Sequence, residues 1–161
     1  MDLQELHDRT GINLRRLRYC VDHKLVPDLH IDLTPGEAGR PRRFAEDVGF
    51  GIVCAAVLLD IGLPHERIRW LLRSLLEIKL GGKGPPKRTL VAVLERPAPA
   101  QAYISEDGRV RIVVEEYGYD SGWIVPGAGG ARAKRDKHYQ PRGYVALNLG
   151  RIRDEVFFGG S

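Results

Sequence analysis

Six arginines in two short segments are the side chains of this sequence best placed to do chemistry. Arg15, Arg16 and Arg18 fall in Asn13-Leu14-Arg15-Arg16-Leu17-Arg18-Tyr19, and Arg40, Arg42 and Arg43 in Gly39-Arg40-Pro41-Arg42-Arg43-Phe44. A guanidinium donates two parallel hydrogen bonds to a phosphate, or to O6 and N7 of guanine, so both clusters suit a nucleic-acid ligand. Each also reads as a solvated surface, but three arginines within four residues repel one another unless an anion is near. Asn13, Tyr19 and Lys24 are counted with them as candidate contacts.

Other reactive side chains do not assemble. Asp120, Ser121 and His138 invite a triad reading, yet the sequence has no nucleophile-elbow pattern, no oxyanion signature and no phosphate-binding loop. His7, His23, His30 and His65 are scattered and read as surface or packing residues. Cys20 and Cys54 sit on separate predicted helices without partners at metal-ligand spacing, which suits two small core residues in a reduced, cytoplasmic protein. No enzymatic activity, cofactor or metal is expected. No apolar run reaches the roughly 18 residues of a membrane span.

The elements that must position the arginines follow from periodicity and caps. Residues 3–9 form a short helix with Leu3 and Leu6 inward, and Gly11 is a left-handed stop. Asn13 caps a second helix reaching about His23, whose Leu14, Leu17 and Val21 make the buried stripe and leave the arginines on other faces. Thr34-Pro35-Gly36 and Gly39 mark a hairpin within 28–44, with Arg40, Arg42 and Arg43 on its return arm. Residues 45–61 are strongly helical, with Phe50, Val53, Cys54, Val57 and Leu58 on one face, and Gly62 ends them. Pro64 opens a helix to about Leu80 that buries Ile68, Leu71, Leu72, Leu75 and Leu76.

Gly81-Gly82-Lys83-Gly84-Pro85-Pro86 reads as a linker and domain boundary. Beyond it the period changes from 3.6 to 2. Residues 89–95 read as a strand. Residues 101–105 and 109–116 read as a hairpin turning at Glu106-Asp107-Gly108, with Val110, Ile112 and Val114 on one side and Arg109, Arg111 and Glu115 on the other. Residues 123–125 and 143–149 read as further strands, and 151–157 as a last helical turn. Trp70, Trp123, Tyr117 and Tyr119 read as interdomain packing or as the walls of a ligand pocket. The basic segment 131–142 reads as a solvated loop or as a second nucleic-acid contact.

Charge distribution sharpens the reading. The chain carries a formal net charge of +4 over 161 residues. Residues 1–80 hold 12 basic and 12 acidic side chains, so DNA affinity in that half must come from local clusters.

The first half resembles the DNA-binding domain of the MerR family of transcriptional regulators. The resemblance rests on Leu3-Gln4-Glu5-Leu6, Thr10-Gly11-Ile12, Leu17-Arg18-Tyr19, Leu25-Val26-Pro27, Gly39-Arg40-Pro41-Arg42-Arg43-Phe44, and Ile61-Gly62-Leu63 with Ile68. It implies a winged helix-turn-helix with 13–23 as recognition helix. Arg18 and Tyr19 fall on an Arg-Tyr pair that resembles a phosphate anchor, Arg42 on the wing arginine, and Phe44 on the aromatic that seats the wing. The chain departs from the family pattern at Cys20, where an aromatic is usual, and at Lys24, where a turn glycine is common. It departs again at 81–86, where a long pairing helix would continue, and it lacks the cysteines of metal-sensing members.

The expected architecture is therefore α+β: an N-terminal helical winged helix-turn-helix domain over 1–80, then a small antiparallel, mostly-β domain over 87–161. The expected function is transcriptional regulation through double-stranded DNA. The second domain is expected to bind a small-molecule or protein effector, or to pair two copies of the chain. Two alternatives stand beside this reading: an architectural DNA-binding protein of a mobile element, such as a recombination directionality factor, and a protein-interaction module that keeps the fold.

Overall fold

The computed structural model has the Gly11 stop and the Asn13 cap read from the sequence, and adds a capping box at Asp2. Helix α1, Leu3–Thr10, opens at Asp2, whose carboxylate accepts from the backbone N–H groups of Gln4 and Glu5, while the Glu5 carboxylate accepts from Asp2 N–H at 2.7 Å. This reciprocal box satisfies donors that the first turn leaves without partners. Gly11, at φ 69°, stops the helix and donates to His7 O at 2.8 Å. Asn13 then caps α2, Leu14–Asp22, by accepting from Arg15 N–H at 2.8 Å.

The end of α2 carries a strained residue. Lys24 has φ 50°, in the left-handed region that favours glycine. Its N–H reaches Val21 O at 3.0 Å, and Leu25 N–H reaches Cys20 O at 2.9 Å. These two bonds make the Schellman closure. The position where a glycine is common is thus a left-handed turn here, filled by lysine.

Structure is described for residues 1–26, 42–77, 79–80, 88–89, 99–115, 118–125 and 138–159. The expected wing tip with Arg40, the linker at 81–86, most of the expected strand at 89–95 and most of the basic segment 131–142 lie outside them.

The described chain divides into two compact units. The first comprises residues 1–72 together with 152–161, and the second comprises 73–151. In the first unit, α3, Glu46–Asp60, buries every residue from Val48 to Ala56 and then Leu58. One apolar face was expected. The helix is buried all round because no charged side chain lies between Asp47 and Asp60, so no face has a reason to meet water. Gly62, at φ 96°, closes α3 as expected, with Gly62 N–H on Leu59 O and Leu63 N–H on Leu58 O. Helix α4, His65–Glu77, buries Ile68, Leu71, Leu72 and Leu75.

Two boundaries differ from expectation. Helix α4 stops at Glu77, and Lys79–Leu80 is a short strand, β1, antiparallel to β2, Arg88–Thr89. The final helical turn is a full helix, α5, Leu149–Phe158. Its part from Ile152 onward belongs to the first unit, where Phe157 stacks on Phe50 at 6.0 Å and Arg9 donates to Val156 O at 2.5 Å.

The second unit is built on an antiparallel sheet. Strands β3 (Ala100–Ser105), β4 (Val110–Val114), β5 (Tyr119–Asp120) and β6 (Tyr144–Asn148) lie in the order β5-β4-β3-β6. The register pairs Tyr103 with Arg111 on one side and with Ala146 on the other. Ala100, Ala102, Ile104, Val110, Ile112, Val114 and Leu147 fill the inner face. Residues 123–125, expected as a short strand, contribute a single bridge, Ile124 to Val110. Helices and an antiparallel sheet in separate stretches of chain make the protein α+β.

Candidate nucleic-acid interface

The buried stripe of α2 decides which arginines reach outward. Leu17, Cys20 and Val21 are buried, so the opposite side presents Arg15, Arg18, Tyr19 and Asp22 at spacings of three and four residues. Arg15 and Arg18 are exposed, and among the described residues neither side chain has an ion-pair partner. Asn13 is spent on the cap and fixes the start of the helix rather than pointing away from it.

Arg16 lies on the flank of α2 beside Cys20. Its Nη2 meets Asp60, the last residue of α3, at 2.7 Å, with the two side chains 43% and 53% exposed. An exposed pair of this kind is worth about 0–1 kcal/mol, so it holds Arg16 only loosely. Cys20 beneath it is fully buried, and burial pushes its thiol up to about 11, against the lowering effect of Arg16. Burial likewise raises the Cys54 thiol.

Tyr19 has company that the separate reading of each histidine missed. Its ring lies 4.0 Å from that of His23 and 5.6 Å from that of His65, and its hydroxyl shares a 3.2 Å hydrogen bond with His65 Nε2. His23 and His65 are themselves 5.5 Å apart, so these two are clustered and not scattered. The hydroxyl expected near a phosphate is thus oriented by a histidine at the start of α4. Arg69, one turn further along α4, donates to His23 O at 2.9 Å and to Lys24 O at 3.2 Å. A guanidinium on the last carbonyls of a helix satisfies acceptors and complements the helix dipole. Tyr19/His23 and His65/Arg69 are i, i+4 neighbours within their own stretches of chain; what brings them together is the approach of the end of α2 to the first turns of α4.

Arg42 and Arg43 are exposed, immediately before buried Phe44. Phe44 is fastened by reciprocal backbone bonds with Met1: Phe44 N–H donates to Met1 O at 2.6 Å and the Met1 amine donates to Phe44 O at 2.9 Å. Arg40 lies outside the described residues.

In the second unit, Asp120 is held by Arg111, and the Ser121 hydroxyl accepts from Ile112 N–H and donates to Gly122 O. Both therefore have structural partners. Trp123 lines a cleft with Tyr103, Arg111, Val113 and Tyr144, a set the sequence reading missed apart from the tryptophan itself. Trp70 belongs to the other unit, and Tyr117 lies outside the described residues. Among the described residues no group of three or more His, Cys, Asp and Glu could hold a metal ion, and no helix is long and apolar enough to cross a membrane.

Compared with known proteins, the chain matches no family model, no curated protein and no solved structure.

Proposed function

We propose that the protein is a sequence-specific regulator of transcription that binds duplex DNA through a winged helix-turn-helix of the MerR type. The observation that carries this reading is the outward face of α2, where Arg15 and Arg18 stand exposed and unpaired on a helix whose two ends are fixed by Asn13 and Arg69. A helix so fixed loses little further entropy on entering a major groove, and its arginines can read guanine edges or grip phosphates. Arg42 and Arg43, with Arg40, supply sequence-independent contact to the backbone. Pairing between two copies is assigned to residues 87–161, where β6 is the outermost strand on its side among the described residues.

Selection of bound duplexes from a random library by the full chain tests the proposal. A consensus of one or two half-sites is expected. Recovery of unenriched sequence from a protein that still binds DNA would shift the reading to an architectural role. No recovery at all would favour a protein-interaction module.

A further inference from the structure

We propose that the cleft on the outer face of the four-stranded sheet binds a small planar aromatic acid of one or two fused rings. It does not depend on the DNA reading of the first unit. The cleft has a volume of about 290 Å³ and is walled by Tyr103, Arg111, Val113, Trp123 and Tyr144. That is at the lower end of ligand-pocket volumes, enough for one ring system and too small for a run of stacked bases. The register builds it: Tyr103 stands opposite Arg111 across β4, and Ser105 opposite Tyr144 across β6, so these side chains share one face.

The walls are aromatic and mutually braced. Tyr103 and Tyr144 meet edge to face at 5.5 Å and 85°, and Trp123 lies 6.3 Å from Tyr144. Behind Trp123, Tyr139 packs at 5.8 Å, held by its own hydroxyl bond to Asp107 and by the Arg109 guanidinium 3.9 Å from its ring centre. Tyr144 is nonetheless 60% exposed, the largest exposure of any large apolar or aromatic side chain described.

The polar groups choose the ligand's charge. The Tyr103 and Tyr144 hydroxyls and the Trp123 indole N–H have no hydrogen-bond partner among the described residues. Arg111 gives Nε and Nη2 to Asp120 in a two-point pair that fixes the plane of the guanidinium. Its Nη1 protons are left for a ligand. The cleft thus offers several donors and a positioned cation beside flat apolar walls. A carboxylate on Arg111 with its ring against Trp123 and Tyr144 satisfies them together, while a cationic ring would face the guanidinium.

The full chain, labelled with fluorotryptophan, tests this by fluorine NMR. It has two tryptophans, Trp70 and Trp123, and Trp123→Phe assigns the lines. Naphthoate is expected to shift the Trp123 line saturably. Tyr144→Ala should weaken that binding about tenfold or more, and Arg111→Gln should abolish the preference for naphthoate over neutral naphthamide. A Trp123 line that stays apart from its urea-unfolded position in the Tyr144 and Arg111 variants shows that the second unit is still folded; if Arg111→Gln fails that check, Arg111→Lys replaces it, with a partial loss expected. The proposal is overturned by a Trp123 line that does not respond, by naphthylmethylammonium binding as tightly as naphthoate, or by a short oligothymidylate binding more tightly than either.

Discussion

Arg15 and Arg16 are neighbours in sequence and differ in what they are able to contact. Arg15 stands clear on the outer face of α2, whereas Arg16 leans on Asp60 across the end of α3. If Arg15 reads a base, Arg15→Ala is expected to cost about 1–3 kcal/mol on the selected duplex and to relax specificity at one position. Asp60→Asn should act in the opposite direction, tightening binding about two- to fivefold by removing an anion that competes for Arg16. Quantitative gel shifts on the selected and a scrambled duplex check both, and equal losses on the two duplexes for Arg15→Ala would demote it to a phosphate contact. Arg15, Arg18 and the cap at Asn13 were legible in the sequence because helical periodicity and capping are local. The Arg16–Asp60 pair and the Tyr19–His23–His65 cluster were not, because they join residues of different helices and depend on how those helices pack.

The ends of elements are where this sequence departs most from the easiest solution. Lys24 holds φ 50° at the close of α2, where a side chain costs roughly 1 kcal/mol relative to glycine. Lys24→Gly is therefore expected to raise the urea midpoint of the first unit, by up to about 1 kcal/mol of stability, while weakening DNA binding if the ammonium meets a phosphate. Unchanged or lower stability would show that the lysine has compensations elsewhere. The β3–β4 turn makes a pH prediction. The backbone N–H of Arg142, before that of Gly143, holds the Glu106 carboxyl below its ordinary 4.5, and the Ser105 hydroxyl, followed by Tyr139, holds Asp107 below 3.8. Groups whose native values are lowered stabilise the fold fully above their ordinary values and lose that contribution as pH falls through the lowered ones. The second unit should therefore be insensitive to pH above about 5 on their account and weaken below about 4, with Glu106→Gln plus Asp107→Asn flattening the acid limb of a thermal-melt profile. The turn itself was legible from Glu106-Asp107-Gly108. The cleft above it was only half so, since alternation along β4 pointed Arg111 outward but nothing local announced that β6 would bring Tyr144 beside Tyr103.

At the scale of the whole molecule, the chain returns to its beginning. The first unit includes residues 152–161, so a helix from the end of the sequence completes a core started by α1 and α3. Phe157 covers Phe50, and Ile152 and Val156 are buried. Deleting 152–161 should remove about 2–4 kcal/mol from the first unit, seen as an earlier urea transition of the Trp70 line with the Trp123 line less affected. Coincident, unshifted transitions would contradict this. The change of period after residue 80 made the α+β class legible, but a return of the chain to the first core leaves no local mark, since the apolar positions of α5 read the same whichever core they fill. In the proposed function, the arginines of the first unit meet the charged backbone of duplex DNA. The most direct test is the affinity of the full chain for its selected duplex, by fluorescence anisotropy across a range of salt concentrations, beside the Arg42→Ala/Arg43→Ala variant. A log-linear fall of affinity with salt is expected, and in the variant a similar loss on all sequences and a slope smaller by about one to two ions. An affinity indifferent to salt, or a slope the double variant leaves unchanged, would contradict it.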